Sequence, residues 1–199
     1  MKKTRPPSAA GKNSHSIASV AVTAIIALLV IANLAVIFAF SAENGEESGN
    51  RSAGITDVVV HILYPDFDEL PDVQADRILT STHHFVRKAA HFCEFALLGL
   101  LATGLLLWLS RHFVRITPWK TWLFPAAFTL LYAISDEVHQ IFTSRGARVT
   151  DVLIDFSGAL FGILLMQGLA WLLRRLWAGK GRAKKSTRRN PPCETPATD

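Results

Sequence analysis

The sequence predicts an all-α fold: an integral membrane bundle of four transmembrane helices with an outward-facing polar cluster. Three observations carry this. Half of the 199 residues are apolar, and they fall in long blocks rather than in the short alternations of a soluble globule. Lys and Arg crowd at the two termini and in one central turn, beside the apolar blocks. Ionisable residues intrude into three of the four blocks, always near the same end.

Residues 1–16 form a basic N-terminus (Lys2, Lys3, Arg5, Lys12) in which Pro6 and Pro7 discourage a helix. Residues 17–40 are apolar almost throughout for 24 residues, enough to cross ~30 Å of hydrocarbon at ~1.5 Å per residue. A cleaved signal peptide is the rival reading. Its apolar core would run to about 7–15 residues, and Ala39-Phe40-Ser41 is a poor small-x-small cleavage site, so a retained first span is expected.

Residues 41–82 read as an extracytoplasmic loop lying on the membrane surface. It opens with a polar linker (41–56), continues as a short amphipathic piece from Asp57 to Tyr64 stopped by Pro65, and holds another helix from about Asp72 towards Arg77. Residues 83–174 then hold three spans. Ser81 or Thr82 caps the first of these. Its charge-free part, Phe95 to Leu109, has 15 residues, short of the ~20 a crossing needs, so Glu94 and His91 are drawn inwards. A basic turn with Arg111, His112, Arg115 and Lys120 follows. The next span has only 13 charge-free residues, Trp122 to Ile134, and takes in Asp136, Glu137 and Gln140. The last runs from about Val152 to Leu173 and takes in Asp155. Its Gly158 and Gly162 stand at the spacing that lets helix backbones approach, and helix packing within the chain is their expected role. Residues 175–199 read as a basic, disordered cytoplasmic tail.

Fifteen Lys and Arg fall on the side of the termini and six on the other, which places both termini in the cytoplasm of a multi-pass cell-membrane protein. The nine acidic residues from Glu43 to Asp76 are then outside. This distribution argues against nucleic-acid binding and makes the lipid bilayer the first partner. Cys93 and Cys193 form no metal or redox spacing, and no structural disulfide is expected.

With that orientation the intrusions converge on the outer end of the bundle. Arg87, His91 and Glu94 share one helix face, as do Asp136 and Gln140, and Asp151, Asp155 and Gly158. The candidate polar site is therefore Arg87, His91, Glu94, Asp136, Glu137, Gln140, Arg145, Asp151 and Asp155. The bland alternative is an ion-pair network that only holds helices together. Polar contacts between membrane helices average ~0.6 kcal/mol, a weak reason for so many charges. His91, Glu94, Asp136, His139 and Asp151 are suitable ligands for a divalent ion, but no HExxH or other tight motif is present, and the expectation is no metal and no cofactor.

RKAAHFCEFALLG (87–99) and DEVHQIFTSRGARVTDVLIDFSGALFG (136–162), with FSAENGEES (40–48) after the first span, resemble the VanZ-like family of small bacterial membrane proteins. The resemblance covers most of 36–165. It departs at Asp155, where the family's pattern often carries Asn. The resemblance implies a role in resistance to teicoplanin-type lipoglycopeptides or in envelope homeostasis. On that footing the site would bind a lipid-linked envelope precursor or a lipoglycopeptide at the outer leaflet, through arginines that grip phosphate or carboxylate. The other class is a membrane-embedded transferase or hydrolase on lipid-linked substrates, with Glu94 or Asp136 as acid or base beside His91. The oligomeric state is not legible.

Overall fold

The computed structural model describes residues 16–42, 45–142 and 148–189, with side chains described over 16–42, 53–141 and 148–177. All regular structure in these residues is helical: α1 (Ile17–Ala42), α2 (Gly45–Leu63), a 3-10 turn (Phe67–Glu69), α3 (Asp72–His112), α4 (Lys120–Phe142) and α5 (Val149–Arg189). Three helices, α1, α3 and α5, are long and apolar enough to cross a membrane. They turn Ile25, Leu28, Ile31, Leu164 and Leu165 outwards, a surface that suits lipid rather than water.

Small residues decide how the helices meet. Between lipid-bathed helices there is no hydrophobic drive to associate, so close packing has to supply the attraction. The α3–α5 seam is the most extensive in the bundle. A Cβ on Gly158 would run into the carbonyl of Phe92, and one on Gly162 into that of Ala96. Gly99 of α3 is pressed in the same way against Ala159 of α5. The three glycines therefore form one backbone-to-backbone seam within the chain. Phe95, Leu98, Ala133 and Ala159, all fully buried, make the adjoining core with Ile37 of α1.

Polar side chains pin the ends and the middle. Trp108 Nε1 of α3 donates to Thr23 Oγ1 of α1 at 3.1 Å. Tyr132 Oη of α4 donates to the Leu34 carbonyl of α1 at 2.7 Å. Pro125 inside α4 has no N–H to give to the Thr121 carbonyl one turn earlier. Gln167 Nε2 of α5 supplies the missing donor, at 3.0 Å from that carbonyl and 3.1 Å from Thr121 Oγ1. A helix tolerates an internal proline when a neighbour satisfies the freed backbone group, and here the neighbour is identified.

These links fix the directions. Thr23, Trp108, Thr121 and Gln167 stand at one end, here the basic end. Phe38 and His139, with ring centroids 4.8 Å apart, and Lys88 and Asp151 stand at the other, the polar end. Helices α1 and α4 run from the basic to the polar end, and α3 and α5 return. Helix α4 thus spans the same length of bundle as its neighbours, although Asp136 and Glu137 in its last turns keep it below the apolarity of the other three.

Three boundaries differ from the sequence reading. Neither Ser81 nor Thr82 caps a helix: α3 starts at Asp72, straight after Pro71, and Thr82 is buried inside it. No proline or glycine lies between Pro71 and Gly99 to break the helix, so the short piece expected at Asp72–Arg77 and the span merge. The merged helix has 41 residues, about 60 Å, and must project beyond a bilayer. The 41–82 stretch is accordingly mostly helix, with α2 packed on the projecting part of α3. In the C-terminal tail, α5 continues to Arg189; residues 190–199 lie outside the described residues.

Between α2 and α3, His61 Nδ1 donates to the Asp57 carbonyl at 2.9 Å, and Nε2 lies 3.4 Å from Asp68 Oδ1. The Asp57 carbonyl first, and then the Asp68 carboxylate, hold the His61 pKa above its ordinary value.

Candidate functional site

At the polar end, three helices each bring one turn of ionisable residues. On α3 the core register runs through Phe95 and Leu98; stepping back by helical turns from Phe95 reaches His91 and then Lys88. On α4 the last turns carry Asp136, Glu137 and Gln140, all buried. On α5 the first turns carry Asp151 and Asp155, Asp155 buried beneath Asp151. The glycine seam just below draws α3 and α5 together and so sets the distance across which these groups face each other.

A small cleft opens among them, lined by Arg87, Lys88, His91, Gln140, Asp151, Ile154 and Asp155. Lys88 Nζ pairs with Asp151 Oδ1 at 2.9 Å across the α3–α5 gap. Gln140 Nε2 donates to Asp136 Oδ2 at 3.0 Å along α4. The Glu137 carboxylate accepts the Arg148 backbone N–H at the start of α5, tying the end of α4 to the beginning of its neighbour. His91 Nδ1 lies 3.8 Å from Glu94 Oε2 on the same helix. Arg87 Nη2 lies 3.4 Å from His84 Nδ1, nearer the cleft mouth.

Deeper in, His91, Asp136 and Asp155 each point an atom capable of metal ligation into one small volume; these atoms all lie within 4.8 Å of one another. Asp136 and Asp155 are 5% and 3% exposed, so both carboxylates sit almost fully out of water. The charge balance here is acidic: Asp136, Glu137, Asp151 and Glu94 all act on Asp155.

Of the residues singled out from sequence, Arg87, His91, Gln140, Asp151 and Asp155 line one cleft, with Asp136 behind His91 and Asp155. Glu94 and Glu137 stand beside it and are engaged with His91 and with the start of α5. Arg145 lies outside the described residues. Of the five ligands considered from sequence, His91 and Asp136 meet, and the third group with them is Asp155. His139 instead stacks on Phe38, and Asp151 is taken by Lys88. Lys88 was not in the candidate set; its signal was the register, since it lies two turns from Phe95 on the core stripe.

A protein-family model described as VanZ/LLP1 matches residues 24–174, spanning all of the polar end and the glycine seam. No curated protein and no solved structure matches the chain.

Proposed function

The chain belongs to the VanZ/LLP1 family, and on that premise we propose that it is a four-span membrane protein whose polar end binds an anionic lipid-linked or lipidated ligand at the outer leaflet. The fourth crossing is α4. It has 23 residues, about 34 Å, runs the full length between the basic and polar ends, and buries its only acidic groups against α3 and α5. The excess of Lys and Arg at the basic end and in both tails supports a cytoplasmic location for that end and for both termini.

The observation that carries the ligand reading is the lining of the cleft. Arg87 and Lys88 stand at its mouth above His91 and Gln140, so an entering phosphate or carboxylate meets donors first and the buried acids last. A mouth at the outer leaflet is where a lipoglycopeptide inserts its acyl chain and where lipid-linked wall precursors present phosphate. That placement and the family membership support a contribution to teicoplanin-type resistance or envelope homeostasis. The test is susceptibility in a Gram-positive host without a homologue of its own, comparing wild type, Arg87→Ala and an empty vector. Wild type should raise tolerance to a lipoglycopeptide more than to a glycopeptide without an acyl chain, and Arg87→Ala should lose that gain. Equal susceptibility of all three strains to both drugs contradicts the resistance role.

A second reading, catalysis on a lipid-linked substrate, draws on His91 beside Glu94 and the buried Asp136, groups suited to moving a proton. Turnover of lipid-linked precursor by purified protein that depends on Glu94 would favour it; saturable binding without product would favour the first.

A further inference from the structure

The ion pair of Lys88 with Asp151 and the hydrogen bond of Gln140 to Asp136 leave one part of the polar end unexplained. Asp155 is 3% exposed, and no described group donates a hydrogen bond to it. Its carboxylate nonetheless faces a second buried carboxylate, Asp136, and an imidazole, His91, all within 4.8 Å. Two buried carboxylates at that separation need a cation between them, or one must give up its charge. Among the described residues, Lys88 Nζ is 2.9 Å from Asp151 Oδ1, and Arg87 Nη2 lies 3.4 Å from His84 Nδ1.

We infer that His91, Asp136 and Asp155 form a binding site for one divalent transition-metal ion of the Zn2+ or Mn2+ class. The donor set decides the class. One imidazole nitrogen with two carboxylates suits Zn2+ or Mn2+, whereas an all-oxygen set would suit Mg2+ or Ca2+. Ligands ~2.0–2.2 Å from such an ion stand roughly 3–3.5 Å apart, so the present spacing closes on an ion by side-chain rotation of about 1–1.5 Å, with no movement of the helices. The outer sphere is in place. Gln140 Nε2 holds Asp136 through Oδ2, and Glu94 Oε2 stands 3.8 Å from His91 Nδ1, one small side-chain rotation from the position in which a carboxylate orients a ligating imidazole.

Each ligand comes from a different helix, α3, α4 and α5, so the ion would also clamp the polar end of the bundle. Three protein ligands leave at least one coordination position open. His91 and Asp155 line the same cleft as Arg87 and Lys88, so an anionic oxygen entering there could complete the shell. The assignment does not depend on which molecule enters the cleft.

The experiment uses the full chain purified in detergent, incubated separately with Zn2+ and with Mn2+, freed of loose metal by gel filtration and analysed by plasma mass spectrometry. Wild type should retain one ion per chain of at least one metal. Asp155→Asn and His91→Gln should each lower retention at least ~tenfold, the scale on which even outer-sphere losses are felt. Asp151→Asn, which breaks the Lys88 pair and spares all three ligands, should retain it. Should the ligand variants fail to fold, the wild type decides alone. Co2+ should then give visible ligand-field absorption without a thiolate charge-transfer band, and Zn2+ should abolish it. Substoichiometric retention of both metals by the wild type, retention by folded Asp155→Asn equal to the wild type, or the absence of Zn2+-displaceable cobalt bands overturns the assignment.

Discussion

The two halves of the bundle use polar groups in opposite ways. Towards the basic end polar side chains tie one helix to the next: Gln167 serves the Thr121 carbonyl, and Trp108 serves the Thr23 hydroxyl. Towards the polar end carboxylates outnumber what helix association requires, and they are gathered around a cleft. The glycine seam divides the two. Such a difference is informative because membrane helices gain little from each polar contact, about 0.6 kcal/mol on average, while each ionisable group costs about 2.5–3.5 kcal/mol to insert. On the proposed reading, a surplus of charge at one end only serves ligand binding rather than cohesion.

The largest effect on folding should come from the seam. Gly162→Leu forces a side chain into the Ala96 carbonyl on a neighbouring backbone, which rotation cannot relieve. Most of the folded protein should disappear from the membrane fraction, measured by fluorescence-detected size exclusion. Near-normal abundance of this variant would break the division into a structural seam and a functional end.

Next in size is Gln167→Leu, which leaves the Thr121 carbonyl without its donor and should cost roughly 1–2 kcal/mol, seen as a lowered melting temperature in detergent. Pro125→Ala restores an N–H one turn along α4 and should recover much of that loss in the double variant. If Pro125→Ala gives no recovery, Gln167 is not acting on the freed backbone group.

The charges of the polar end should matter far less for abundance. Glu94→Gln, Asp136→Asn and Asp151→Asn keep volume and remove charge. Immunoblots should show membrane levels near the wild type, with the phenotype lost. Abundance falling in step with phenotype for each variant would mean that the polar end is only an ion-pair network.

The smallest effect is expected at His61. Its pKa is raised in the folded chain by the Asp57 carbonyl and Asp68. The contribution of protonated His61 is thus fully present below its ordinary value of ~6.5 and is lost as pH rises through the raised value. Amide exchange across residues 61–70, corrected for the intrinsic rate, should show more protection at pH 6 than at pH 8. His61→Ala should remove the difference.

How much of this was legible in the sequence follows from physical range. The apolar blocks and the polar intrusions at a common end are local patterns, and the helices α1, α4 and α5 follow from them. The i, i+4 pair Asp136–Gln140 is likewise a helix-geometry statement, and it is a hydrogen bond in the structure. The merger of Asp72–Arg77 with the following span escaped because Thr82 is a good capping residue in isolation, and only packing against α2 and the bundle decides that it stays helical. Which carboxylate faces which helix was out of reach. Asp155 rather than Asp151 joins His91 and Asp136 because the glycine seam fixes the rotation of α5 against α3, and a one-turn difference in that register is invisible in a single chain. Gln167 was missed for the same reason, although Pro125 in an apolar helix announces a carbonyl in need of a donor.

The account turns on the polar end of a four-span bundle facing outwards, and cysteine accessibility tests that most directly. In a Cys93→Ser, Cys193→Ser background, single cysteines would replace Asp72 on the projecting part of α3, Arg111 at the basic end and Ser144 between α4 and α5. Intact cells treated with a membrane-impermeant thiol reagent should label Asp72→Cys and Ser144→Cys, and should label Arg111→Cys only after lysis. Labelling of Arg111→Cys in intact cells, or protection of Ser144→Cys until lysis, would contradict the four-span arrangement and the outward placement of the site.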